Sequence, residues 1–438
     1  MYGTGTSAAV EPVLCPRHRW NPGLSFGPGL LFALAMLGPS SLVENVTAGA
    51  SRGYGLLWVL AVILAFRFVW LNLSAKYVLV TGETLLRGYG RYGRWIPWLV
   101  FASLLIQRHL SNLSKIVLMG AAADLLMPLP LRASPTVWSL LFSAAALVLM
   151  TRQVRALERW FRPVIVAMGA ALFVAAALSH PHFPGILHGL FVPSLSGRTG
   201  PYSSLLMITA LVGTEAGALT NLSYSYFMLQ KGWRDVSCLG RQRFDLLCSV
   251  GSIFLVDALL QIAAAGTLWP VKLVPANAEH LVAVFSSTLG ITGRIIFAFG
   301  LWAVCFSGLV TGTTGCALSG SDIWKTFGPR RRVAAIEPGV ADPDAGARTV
   351  RLWLVSFWTI SPLYALFLRV RPISLVLAAS SLTALLMPAL GIALLLLMND
   401  RRRLGAYRNG PVANLALGTL VLASLYLSVR NAFELLQH

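Results

Sequence analysis

Apolar runs of about 18 residues or more recur from one end of this chain to the other. Each is long enough to cross the ~30 Å hydrocarbon core of a bilayer as a helix. The runs are continuous rather than alternating, which argues against a membrane β-barrel. A helix also satisfies its own backbone hydrogen bonds, the condition lipid imposes on any spanning segment. Only 12% of the 438 residues are charged, against about 25% in soluble domains, so water cannot be the solvent for most of the surface. The pattern predicts an all-α integral membrane protein with eleven spans, near 28–50, 55–75, 97–126, 136–152, 163–180, 203–229, 243–268, 285–318, 350–368, 372–398 and 412–433.

The formal net charge of +19 invites a nucleic-acid reading, but the distribution of the charge argues against one. With the N-terminus inside, the predicted cytoplasmic segments carry 24 of the 35 Lys and Arg, the outside segments eight and the spans three, namely Arg67, Arg108 and Lys115. That bias is the positive-inside pattern. It predicts a multi-pass protein of the cell membrane with a cytoplasmic N-terminus, a lipid bilayer around it and no nucleic-acid partner. Residues 1–25 read as a short cytoplasmic leader and 26–438 as a single transmembrane domain. A polar loop near 326–348 carries Arg330, Arg331 and Arg332, then Asp342, Pro343 and Asp344. The five cysteines form no CxxC and no metal-binding spacing, so free thiols are expected. There is no nucleophile–base pairing, phosphate loop or cofactor motif, so an enzyme is not expected.

Two spans are interrupted. The first contains Gly38-Pro39-Ser40-Ser41 and the sixth contains Gly213-Thr214-Glu215-Ala216-Gly217. Proline and small polar residues break helical hydrogen bonding in mid-membrane. The interruptions lie five helices apart, and an odd number of crossings reverses direction, so the two halves would be inverted repeats. Discontinuous first helices in two inverted five-helix halves mark the substrate site of many secondary transporters. The plainer reading is that the glycines only let helices pack closely.

The chain then resembles a known family. Gly38-Pro39-Ser40-Ser41, Asn45, Ala48-Gly49 and Gly53-Tyr54-Gly55-Leu56-Leu57-Trp58 stand where the natural resistance-associated macrophage protein (NRAMP) family of divalent-metal transporters has Asp-Pro-Gly-Asn and its continuation. Leu73-Ser74-Ala75-Lys76, Val80-Thr81-Gly82, Leu157-Glu158, Phe191-Val192-Pro193 and the Asp400-Arg401-Arg402 turn follow in the same order. The resemblance implies a LeuT-type fold of two inverted five-helix repeats plus an eleventh helix, with helices one and six broken. It also implies a divalent metal cation as substrate rather than as a cofactor. The family's helix-one Asp and Asn align with Gly38 and Ser41, and its helix-six Met with Ala218 or Gly217. Its helix-six His aligns with Thr220, its helix-ten Gln with Ser380, and two helix-three carboxylates linked to proton movement with Asn112 and Lys115.

These departures remove the thioether, which favours softer metals, and the groups that bind and release a proton. Two acids remain in the broken helices, Glu44 and Glu215. Intramembrane carboxylates are functional candidates by default. With Ser40, Ser41, Thr214, Thr220 and backbone carbonyls they would make an all-oxygen site suited to a hard ion such as Mg2+, which touches only one or two carboxylates. The expected function is therefore divalent-cation transport shifted toward a hard ion, without proton coupling. Two other readings stay open: transport of another small solute, or a non-transporting sensor or scaffold. In the last, Glu44 and Glu215 would be sealed as salt bridges against Arg67, Arg108 or Lys115. Asp124 and Asp257 are lesser candidates. His180, His182 and His188 read as ordinary loop histidines, and the Ser307 to Ser321 hydroxyls as helix glue.

Overall fold

The computed structural model describes residues 38–152, 157–194, 202–230, 233–328, 345–367 and 372–436. The expected leader and most of the polar loop at 326–348 lie outside the described residues. So does the part of the first span before Gly38.

Regular structure among the described residues is helical throughout. In chain order the helices are α1 Pro39–Arg52, α2 Leu57–Thr81, α3 Leu85–Tyr89, α4 Trp95–Leu126, α5 Ser134–Arg152, α6 Leu157–Leu178, α7 Phe183–Phe191 and α8 Ser204–Glu215. They continue as α9 Ala218–Gln230, α10 Leu239–Thr267, α11 Ala278–Phe327, α12 Ala345–Ile360, α13 Pro372–Leu385, α14 Met387–Asn399, α15 Arg401–Leu404 and α16 Pro411–Leu436. Six spans among them are long and apolar enough to cross a membrane alone, α13 and α14 counting together. Bent α6–α7 makes a seventh, turning by 110° after Leu178. The other expected crossings fall on α1, on charged α4, on the half-length α8 and α9, and on α12.

Several boundaries differ from the hydropathy reading for identifiable reasons. The run 372–398 is two helices, because Leu386 caps α14 and Pro388 follows in its first turn, where a missing N–H does no harm. The long helix α11 bends at Gly290, whose φ of 59° lies in the left-handed region that favours glycine. Its first limb therefore runs through the segment expected to be a loop. In the loop after α6, His182 caps α7 by accepting the Gly185 N–H at 3.0 Å, so its role there is structural. Cys248, Cys305 and Cys316 are free thiols as expected, whereas Cys238 is disulfide-bonded.

Close helix contacts place the site. Lipid supplies no hydrophobic force between helices, so association relies on tight packing at small residues. On α1, a Cβ at Gly49 would lie 2.3 Å from the Gln261 carbonyl oxygen, so α1 and α10 meet backbone to backbone. On α8, a Cβ at Gly213 would lie 1.7 Å from the Ser380 carbonyl oxygen, which brings α8 equally close to α13. On the other side α4 lies along α11. The α11 hydroxyls mostly bond their own helix, as Thr311 does to Ser307 and Thr314 to Val310, each at 2.8 Å. The expected role as glue between helices is seen at Thr313, which accepts from Asn112 of α4, while the others bond within α11.

Candidate functional site

The site forms where α1 begins and α8 ends. Gly38 has extended backbone (φ −75°, ψ 161°), and α1 starts at Pro39. Helix six stops at Glu215 and resumes at Ala218, with Ala216 at φ −98°, ψ 0°. The carbonyl of Ala216 is freed by this break and accepts the Asn221 amide at 3.0 Å. The two readings of the helix-six glycines therefore both hold, at different positions. Gly213 allows close packing, and the chain is interrupted at Ala216 and Gly217.

Glu44 is fully buried. Its Oε1 accepts a 2.8 Å hydrogen bond from Thr214, whose hydroxyl also lies 2.8 Å from Ser380 Oγ. Its Oε2 is buried without a partner. Three candidate residues on α1, α8 and α13 thus meet at one point. Ser41 is buried too, and its hydroxyl donates to Asp257 Oδ1 at 2.6 Å. Asn45 donates to Ser41 O at 2.9 Å, and Gln261 donates to Asn45 Oδ1 at 2.7 Å. Ser40 is half-buried at the mouth of α1. Gly217 lies in the helix-six break, while the side chains of Ala218 and Thr220 lie outside the described residues.

Glu215 forms the salt bridge considered from the sequence. Its Oε2 receives Arg67 Nη1 at 3.1 Å, with both side chains at or below 4% exposure. Its Oε1 is buried with no hydrogen-bond partner. The helix-three cations do not share this role. Arg108 donates to Cys316 Sγ through Nε and Nη2, at 3.3 and 3.1 Å. Lys115 donates to Ser111 Oγ at 2.9 Å. Asn112 donates to Thr313 Oγ1 at 2.9 Å and to the Trp358 carbonyl at 3.0 Å. Asn112 is thus held within the α4–α11–α12 contact, while Lys115 bonds its own helix. Asp124 accepts the Ser134 hydroxyl at the start of α5 and takes no part in the site.

Asp257 is the residue the sequence ranked too low. It is fully buried on α10 and accepts the Ser41 hydroxyl. Its signal was available: it is an intramembrane acid four residues before Gln261, on the same helical face. No group of three or more His, Cys, Asp or Glu among the described residues is arranged to hold a metal ion. What the elements build is an oxygen-rich cluster of two carboxylate arms, one at Glu44 and one at Glu215 with Asp257. Among the described residues, Arg67 is the guanidinium that pairs with this cluster, at Glu215.

A family model described as "Natural resistance-associated macrophage protein-like" matches residues 29–434. The chain belongs to this NRAMP family. Similar relatives are metal transporters rather than enzymes. A divalent metal cation transporter, MntH, of Aeromonas hydrophila is 24% identical over 404 residues, covering 91% of this chain and 92% of that protein. The metal transporter Nramp6.2 of Populus trichocarpa is 28% identical over 319 residues, 67% of this chain. The chain spans only 56% of that plant relative's length. Among solved structures, a manganese transporter of Eremococcus coleocola aligns over 96% of this chain and 89% of its own, with a TM-score of 0.68 at 16% identity. MhsT, solved with L-phenylalanine, aligns over 92% of this chain and 96% of its own, with a TM-score of 0.62 at 15% identity. The fold is accordingly the LeuT type, two inverted five-helix repeats plus an eleventh helix, as the NRAMP resemblance implied.

Proposed function

We propose that this NRAMP-family chain transports divalent metal cations across the cell membrane, with its N-terminus in the cytoplasm, and that it favours a hard ion such as Mg2+ without coupling to protons. The observation that carries the reading is Glu44. It is a fully buried carboxylate at the start of the broken helix, held on one oxygen by Thr214 and unpartnered on the other. Such an oxygen is costly in a dry interior unless a cation meets it. Ser40, Ser41, Thr214, Ser380 and the backbone around Gly38 and Gly217 add only oxygen donors. That set favours hard cations over those that seek a thioether. The absence of proton coupling is supported by Asn112 and Lys115, which stand where the family resemblance places acids; Asn112 bonds to neighbouring helices and Lys115 to Ser111 of its own helix.

A sensor or scaffold is the second reading, favoured by the Arg67–Glu215 pair, which neutralises one of the two glutamates. Flux of Mg2+, Ca2+ and Mn2+ into proteoliposomes under an imposed potential, with an internal pH dye, separates the two. The transport reading expects entry without acidification, lost in Glu44→Gln. Wild-type protein that moves no dication above empty liposomes would leave the scaffold reading standing.

A further inference from the structure

Two cations on α4 are buried without an acid beside them. Arg108 and Lys115 are each 6% exposed, and neither makes an ion pair among the described residues. Arg108 turns two of its donors onto a thiol, Cys316 Sγ, at 3.3 and 3.1 Å. Lys115 donates to Ser111 Oγ at 2.9 Å, which uses one donor of an ammonium that has three. Buried charges in folded proteins are normally paired. The buried acids of the interior have other contacts: Glu215 with Arg67, Glu44 with Thr214 and Asp257 with Ser41. Asn112, on the same helix, gives its amide to Thr313 and Trp358 and brings no charge.

The two cations face one strip of α11. A Cβ at Gly312 would lie 2.6 Å from Arg108 Nη1, and one at Gly308 would lie 3.6 Å from Lys115 Cε. Gly308, Gly312 and Cys316 follow one another at intervals of four, on one face of the helix. Four residues rise about 6 Å. The two charged groups therefore lie along α11 at roughly the separation that one small anion bridges, with a charge-assisted contact of about 2.7–2.9 Å on each side. The glycines leave the strip bare of side chains, and so close an approach of α4 favours a small ion over an organic acid.

We infer that Arg108 and Lys115, with the Ser111 hydroxyl, form a binding site for a small monovalent inorganic anion such as chloride, between α4 and α11. The site stands apart from Glu44, Thr214 and Ser380 and does not depend on which solute the chain carries. It lies close to the start of α1, because the Cβ at Gly308 that would meet Lys115 would also lie 3.0 Å from Pro39 Cδ. A bound anion therefore offsets the repulsion that the ammonium exerts on a cation arriving at Gly38.

The test is thermal unfolding of the detergent-purified full chain in mixtures of choline chloride and choline gluconate at constant ionic strength. Binding to the folded state alone raises Tm in a saturable way. The expected result is a rise of several degrees as chloride replaces gluconate, a bulky organic anion. Lys115→Met keeps the stem but removes the charge, and should abolish the rise or shift it at least tenfold in chloride concentration. Ser111→Asp places a carboxylate at the atom Lys115 already bonds. It should hold the protein in gluconate at or above the wild-type Tm in chloride, with no further rise on adding chloride, and it serves if Lys115→Met does not fold. Equal wild-type Tm in chloride and gluconate overturns the inference. So does a chloride rise of unchanged size and midpoint in the variants. The readout is binding, so the result stands whatever dication flux shows.

Discussion

Glu215 gives one carboxylate oxygen to Arg67, 148 positions earlier in the chain, at 3.1 Å and leaves its other oxygen without a partner. One side chain thus contributes to the stability of the helix-six break and keeps an acceptor free in the buried interior. Removing Arg67 alone strands a buried negative charge. Arg67→Met should therefore cost about 3–5 kcal/mol. The double variant with Glu215→Gln should recover a large part of that loss, because replacing both partners removes the stranded charge. Thermal unfolding of the four proteins in one detergent closes the cycle, and equal losses in the single and double variants would refute the coupling.

Thr214 joins the two broken-helix regions by donating to Glu44 and touching Ser380. Thr214→Val keeps the shape and removes the hydroxyl. A hydrogen bond to a charged group contributes about 1.5–3 kcal/mol, so the apparent dication affinity should fall by roughly tenfold or more while the protein still folds. Initial-rate flux against dication concentration reads this as a rise in KM. An unchanged KM would show that Glu44 is oriented by something else.

Gly213 and Gly169 make a matched pair of helix glycines. A Cβ at 213 would strike the Ser380 carbonyl oxygen, while one at 169 meets nothing within 4 Å. Gly213→Ala should destabilise by about 1–3 kcal/mol, the usual effect of overpacking, and should reduce flux by displacing Ser380. Gly169→Ala should be neutral or stabilising by up to about 1 kcal/mol from helix propensity. Unfolding temperature and flux on both variants check the contrast.

Asp322 holds one end of the molecule together. It accepts from Tyr226 at 2.7 Å and from Thr84 at 3.2 Å, and pairs with Arg87 at 3.4 Å. These contacts connect α9 and the α3 segment to α11. Asp322→Ala should loosen that end, so that a cysteine placed at Ser225 reacts faster with a soluble maleimide than the same cysteine in the Asp322 protein. Equal labelling rates would remove Asp322 from the closure of that end.

The helical class, the interruption in helix six and the family were legible in the sequence because each rests on local or averaged properties. Apolar run length, Gly and Pro placement and short collinear motifs all survive without coordinates. Where local signals misled, a nearby residue explains the difference: Gly290 turns one apparent helix into two limbs, and Leu386 divides the tenth run. The site was only half legible. Glu44, Thr214 and Ser380 do converge, yet Asp257 ranked below them because its own span shows no break.

Sequence by itself determined that this chain needs a bilayer, that its sixth span is broken and that it belongs to the NRAMP family. Those conclusions follow from which side chains are present and in what order. Tertiary structure decided which charges meet. Arg67, Arg108 and Lys115 were equal partners for the glutamates on paper, but only Arg67 reaches Glu215, while Arg108 and Lys115 stay in the α4–α11 contact. The physical reason is that pairing in a low-dielectric interior depends on distances of a few ångströms. Those distances are set by the close approach of α1 to α10 and of α8 to α13 at Gly49 and Gly213, not by any spacing along the chain.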